Sequence, residues 1–318
     1  MATTGAQILT VSSREADCKF GKILALNNSL QYLEAVNAFE IQRILEKNSQ
    51  SVVLLDYDSF KGSPHVLDIL SKYAKPSLCF SITDDGLSDR PELIKYPFFG
   101  NYVQRRFADP APTFYSKLLG ATIRPELEGL KPYFAHDTKI NRIEIKRSSH
   151  KSMAIEALQK TLTNRGIKGR LATLVAQGVD ELILNAIFDA PYSAKDQTRP
   201  RHKSSRDLEF EMAGQDVVIV EMAASDQYMG ICVIDQYGSI DAQNVFQGLK
   251  PYLTNAPFEP DPFKGLSSGF GLGGVLQSGL NLKIASQTGK RTEVSIFFPV
   301  NGSFKEFRTS FRFFSVVA

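Results

Sequence analysis

The stretch ELILNAIFDA, residues 181–190, decides the reading of this chain. With the residues just before it, it places Gln177, Glu181, Asn185 and Asp189 four apart, in one polar stripe along an otherwise apolar helix predicted from about Leu171 to Phe188. Val175, Val179, Leu182 and Ala186 form the opposite, buried side. Taken alone, such a stripe is most simply a solvated face. Segments nearer the C-terminus change its meaning.

Two of them bear on it. ICVIDQYGSI, residues 231–240, is a short apolar strand delivering Asp235 to a turn that contains Gly238, and a carboxylate buried there is costly unless it finds a donor. SSGFGLGGVLQSGL, residues 267–280, sets Gly269, Gly271, Gly273 and Gly274 before an apolar helical run, so backbone amides there could approach phosphate oxygens. The spacing Gly269-x-Gly271-x-x-Gly274 also fits a dinucleotide fingerprint. That fingerprint needs a strand running straight into the first glycine, and FEPDPFKGLSS, with two prolines, is no strand.

Together these segments resemble the nucleotide boxes of the histidine-kinase-like (Bergerat-fold) ATPases over residues 138–300. The resemblance implies that Asn185 holds a Mg²⁺ bound to ATP and that Glu181 is a general base, as in anti-sigma-factor serine kinases. It further implies that Asp189 lines the nucleotide site, that Asp235 accepts the adenine amino group beside Gly238, and that Gly269, Gly271 and Gly273 cradle phosphates. FEPDPFKG, residues 258–265, is similar to the opening of an ATP lid, and GKRTEVSIFFP, residues 289–299, to the last strand, which makes Thr292 a phosphate or water-network contact. The family's Asp-x-Gly order is altered here, because Tyr237 holds the usual glycine place. The implied fold is an α/β sandwich with a mixed sheet, to which LEFEM, VVIVEM and MGICVI would contribute strands.

The first 123 residues alternate short apolar runs with amphipathic stretches, which predicts repeated βα units around a parallel sheet. Strands are expected at Ile8 to Val11, Gln31 to Val36, Ser51 to Asp56, Ser77 to Ile82 and Asn101 to Val103, with helices such as Ala38 to Glu46 and His65 to Tyr73. This order resembles a flavodoxin-like receiver domain of two-component signalling, with Asp56 in the phosphoacceptor position and Thr83 as a matching hydroxyl. The acidic pair that such domains use to hold Mg²⁺ is replaced by Ser12-Ser13, and the usual lysine by Arg105-Arg106-Phe107. A pseudo-receiver that docks partners is therefore expected, with Asp56 carrying no catalytic task.

PELEGLKPYFAHD, within the 124–137 segment, shows no period and reads as a linker, giving an expected organisation of 1–123, 124–137 and 138–318. His136 and His150 lack the acidic residue and proline that follow the phosphorylated histidine of sensor kinases. Lys195, Arg199, Arg201, Lys203 and Arg206 make a basic loop, and Phe304, Phe307, Phe311 and Phe314 a tail at near-helical spacing that is expected to pack on its own domain.

Lysine plus arginine number 37 against 34 acidic residues, an excess too small to point to nucleic acid or membrane. The three cysteines lie far apart without CxxC spacing, so they predict buried thiols rather than disulfides or zinc. With no recognisable leader and no expected bilayer-spanning run, the sequence suggests a cytoplasmic signalling protein. It would bind Mg-ATP, act on or through a protein partner, and leave a homodimer open. The second reading is a regulatory module that binds nucleotide or partner without chemistry.

Overall fold

The computed structural model describes residues 6–108, 111–124, 126–193, 209–254, 270–300 and 303–317. The chain is α/β and divides into two compact units, one formed by Met1–Glu126 with Phe311–Val317 and the other by Leu127–Ser310.

In the first unit the strands are β1 (Gln7–Val11), β2 (Gln31–Glu34), β3 (Val52–Asp56), β4 (Cys79–Thr83) and β5 (Asn101–Gln104). They alternate with α1 (Glu15–Asn27), α2 (Ala38–Lys47), the short α3 (Tyr57–Phe60), α4 (Pro64–Tyr73) and α5 (Ala111–Ile123). Every residue of β1, β3 and β4 is buried, as continuous apolar runs in a parallel sheet covered on both faces require. The helices begin where local chemistry allows: the Asn37 side chain accepts from the Glu40 amide at 2.9 Å to cap α2, and Pro64 opens α4. The parallel order β2-β1-β3-β4-β5 is doubly wound, with its crevice at the strands' carboxyl ends between β1 and β3.

A sixth strand, β11 (Phe313–Val317), joins this sheet antiparallel to β5. Phe114 stacks on Phe311 at 4.8 Å and Phe99 on Phe314 at 6.5 Å, while the Ser315 hydroxyl donates to Asn101 Oδ1 at 2.6 Å. The tail expected to lie wholly in the 138–318 domain is thus split. Phe304 and Phe307 sit on α11 (Phe304–Thr309) in the second unit, and Phe311 and Phe314 build the core of the first.

The second unit contains β6 (Asn141–Ile145), α6 (His150–Asn164), α7 (Gly169–Leu184), the short α8 (Ala190–Ser193), β7 (Val218–Ala224), β8 (Tyr228–Asp235), α9 (Ala242–Thr254), α10 (Phe270–Gln277), β9 (Asn281–Gln287) and β10 (Arg291–Pro299). Its described strand pairings, in the order β9-β10-β8-β7-β6, are all antiparallel, where a mixed sheet was expected of this unit. Of the expected strand LEFEM, the described residues 209–212 contribute an isolated bridge, Glu211 to Arg147. Gly166, at φ +75°, follows α6 in the left-handed conformation that ends helices, as its position in the sequence indicated.

The stretch read as a linker is packed instead. Leu130, Tyr133 and Phe134 are buried, the Gly129 amide donates to Glu293 at 2.9 Å and the Leu130 amide to Glu221 at 3.0 Å. Two buried carboxylates on the sheet thereby satisfy backbone donors of a segment that has no periodicity of its own.

The helix running over Gly169–Asp189 has 21 residues and mean hydropathy 1.4, long and apolar enough by length and composition to cross a bilayer, although no such run was expected of the sequence. Of that window, 56% is buried inside the protein, as in the core helices of globular folds.

Candidate functional site

Helix α7 gives way at Asn185 to a π turn, Asn185–Asp189, closed by the Ala190 amide bonding back to the Asn185 carbonyl. Such widened turns break the regular ladder and concentrate at functional positions. The turn packs against β8, the strand ending at Asp235. Gln177 is exposed, whereas Glu181, Asn185 and Asp189 are half-buried, so the stripe runs from solvent inward. Asn185 Oδ1 has no solvent contact and no hydrogen-bond partner among the described residues, and one Asp189 oxygen is likewise shielded from solvent. A buried amide oxygen left without any donor costs about 1–3 kcal/mol, so a ligand, an ordered water or a donor outside the described residues would each satisfy it.

Asp235 is buried at the end of β8 directly opposite Thr292 of β10, so the two side chains share one sheet face. Burial raises the Asp235 carboxyl to about 6, against the opposing pull of the Tyr237 and Gly238 amides, the Thr292 hydroxyl and Arg291. Its Oδ1 accepts from the Tyr237 amide at 2.9 Å. Tyr237, in the place of the usual glycine, is itself buried and its hydroxyl bonds Asp216. Gly238 is needed for another reason: at φ +57° it abuts the β9–β10 hairpin, where a Cβ would strike the backbone of Gln287, Gly289 and Lys290. Its carbonyl accepts from the Gly289 amide at 3.1 Å. Gly238 therefore shapes the turn beside Asp235 through packing.

The glycine segment also differs from a free loop. Gly271 and Gly273 lie within α10, and a Cβ on Gly273 would collide with the Tyr252 ring of α9. Gly273 serves helix packing. Gly269, the lid-like residues 258–265 and the basic residues Lys195, Arg199, Arg201, Lys203 and Arg206 lie outside the described residues. Tyr252 is raised to about 12, by burial first and then by the Glu181 carboxylate.

Two hydroxyls missed by sequence reasoning join this set. Ser286 Oγ and Ser239 Oγ are buried with no hydrogen-bond partner among the described residues, and Ser286 pairs directly with Thr292 across β9 and β10. A lone serine carries no motif, and only strand register reveals the row Asp235, Thr292, Ser286.

In the first unit, the crevice around Asp56 is closed by the chain's own cations. Arg105 Nε meets Asp17 Oδ1 at 2.8 Å, its Nη2 meets Asp56 Oδ1 at 2.7 Å, and it also pairs with Asp84; Arg14 Nε meets Asp56 Oδ2 at 3.1 Å. Asp56 accepts in addition from Ser59 at 2.5 Å and, more weakly, from Ser12 at 3.5 Å. The Thr83 hydroxyl is spent on the Asp85 carbonyl at 2.8 Å. Asp17 is an acidic partner that no motif announced, because it projects from the first turn of α1. Among the described residues no three His, Cys, Asp or Glu side chains are arranged to hold a metal ion. Asp56, read in sequence as a phosphoacceptor position without a catalytic task, has both oxygens engaged by guanidinium groups.

Compared with known proteins, the sequence matches no family model and no curated relative.

A raised carboxyl has a consequence for stability. Because Asp235 holds its proton more tightly folded than unfolded, folding is favoured below its ordinary value near 3.8 and that advantage is lost as pH rises to about 6. Above pH 6 the ionised carboxylate costs on the order of 3 kcal/mol. Asp235→Asn should therefore raise the melting temperature at pH 7.5 and leave it nearly unchanged at pH 4. Thermal melts across that range check the sign, and equal shifts at both pH values would contradict it.

Proposed function

We propose that the second unit binds Mg-ATP and that the chain is a signalling protein transferring the γ-phosphoryl group to a protein partner. The observation that carries the reading is a buried carboxylate at a strand end, Asp235, raised to about 6 and facing the same side as Thr292, in a unit where Asn185 has an amide oxygen with no hydrogen-bond partner among the described residues. Retaining such a carboxylate above pH 6 is unfavourable for the empty protein, and an adenine amino group is a donor that would offset it.

The Asn185 oxygen is a hard neutral ligand that fits a magnesium whose other ligands come from phosphates and water. When bound, the metal supplies charge compensation for the triphosphate. Asp235 orients the base, Thr292 supports it, and Glu181 is the group that would take a proton from an attacking hydroxyl. Asp189 lines the same helical face, and the amino end of α10, with Gly271 in its first turn, offers backbone donors.

A binding module without chemistry is the second reading. It is favoured by the Tyr237 amide already held on Asp235, by Gly273 being committed to helix packing and by the cation-closed crevice at Asp56. Incubation with γ-labelled ATP and candidate partner proteins separates the two. Glu181→Gln should leave ATP affinity intact while lowering transfer by about 10²–10⁴-fold. Binding by the wild type with no label moved to any partner or to water would favour the module.

A further inference from the structure

We infer that Ser286 is a second base-contacting residue of this nucleotide site, donating a hydrogen bond to a ring nitrogen of adenine at the edge opposite its amino group. The inference rests on the nucleotide reading proposed for the second unit and adds a residue and an atom to it.

Asp235 lies opposite Thr292, and Thr292 opposite Ser286, so one row crosses β8, β10 and β9. Directly opposed side chains on an antiparallel sheet project from the same face. With neighbouring strands about 4.8 Å apart, the two ends of the row are separated by about 10 Å. A flat bicyclic base with one hydrogen bond at each end fills a span of that size.

The two ends are chemically complementary to adenine. At one end Asp235 is an acceptor whose Oδ1 is already fixed by the Tyr237 amide at 2.9 Å, which aims the carboxylate. At the other, the Ser286 hydroxyl is buried, is both donor and acceptor, and has no hydrogen-bond partner among the described residues. Adenine presents an amino donor on one edge and, across the ring, the acceptor N3. Guanine would instead bring a carbonyl oxygen against the Asp235 carboxylate, so the row as a whole disfavours it.

The row is also held in place before any ligand arrives. The Gly289 amide bonds the Gly238 carbonyl at 3.1 Å, tying the hairpin that joins β9 to β10 to the turn after β8. Asp235 precedes that turn by three residues, and Ser286 and Thr292 flank the hairpin. Substitution of the serine therefore removes a hydroxyl from a rigid frame.

The test compares ATP with 3-deaza-ATP, in which N3 is replaced by a C–H, by calorimetry on the full chain in the presence of magnesium. Wild type is expected to bind the deaza analogue about three- to tenfold more weakly, the worth of one neutral hydrogen bond. Ser286→Ala should lose the same factor with ATP and nothing further with the analogue. Equal wild-type affinity for ATP and the analogue overturns the Ser286 assignment while leaving the nucleotide reading intact, and it does so without relying on any variant to fold. A Ser286→Ala protein that binds ATP as wild type does, or that loses again on the analogue, also overturns it. Failure of wild type to bind ATP at all removes the nucleotide reading, and the Ser286 assignment with it.

Discussion

Replacing Arg105 with methionine should destabilise the first unit by about 3–5 kcal/mol, the cost of removing one partner from a buried charge network. The guanidinium side chain is only 9% exposed and touches Asp17 and Asp56, both fully buried, as well as Asp84. Methionine keeps the bulk and removes the charge, leaving Arg14 as the remaining cation on Asp56. Arg105→Lys should cost less than methionine but more than nothing, because a single ammonium cannot reproduce a planar fork shared among three carboxylates. Hydrogen exchange of the β1, β3 and β4 amides reads the loss directly. Unchanged protection would mean that water compensates these carboxylates as well as Arg105 does. The same network predicts that Asp56 in wild type takes no phosphoryl group from a small-molecule phosphodonor.

Truncating Phe314 to alanine should destabilise the first unit, by about 3–5 kcal/mol, although residue 314 lies far from it in sequence. Phe314 is 1% exposed, stacks with Phe99 and pairs opposite Tyr102 through β11 and β5. Exchange should rise first at β5, whose edge β11 covers, and then at the neighbouring β4. Loss of protection confined to β8 and β10 would contradict this placement.

The first unit was the more legible half. Its buried strands β1, β3 and β4 are short apolar runs separated by amphipathic helices, and each of the five parallel strands fell within two residues of its expected ends, with Ala35 and Val36 lying beyond β2. What sequence could not show was the sixth strand. Phe304, Phe307, Phe311 and Phe314 step by three and four like a helix face, yet α11 stops at Thr309, and Val316 and Val317 continue in extended conformation. Pairing across about two hundred positions leaves no local signal.

The candidate site was legible where it lies on periodic elements. Glu181, Asn185 and Asp189 form a stripe that spacing alone reads as a solvated face, and they became site candidates through the family resemblance; the π turn was hidden because a four-residue recurrence reads the same in a regular helix. Asp235 stood out as a charged residue ending an apolar strand, and the family resemblance made it a candidate. Ser286 and Asp17 were missed because each acquires meaning only through tertiary pairing, one across a sheet and the other through a guanidinium from β5's end. The 124–137 segment misled for a related reason: its order comes from backbone amides bonded to Glu221 and Glu293, and backbone groups leave no trace in side-chain pattern.

The central claim is that Asn185 and Asp235 serve one nucleotide. Calorimetric titration of the folded chain with ATP, with and without magnesium and at pH values on both sides of 6, measures this most directly. Saturable binding that strengthens with magnesium, weakens at least tenfold in Asn185→Ala and falls off below pH 6 is the predicted result. No heat of binding up to millimolar Mg-ATP, or binding indifferent to both residues, would contradict it.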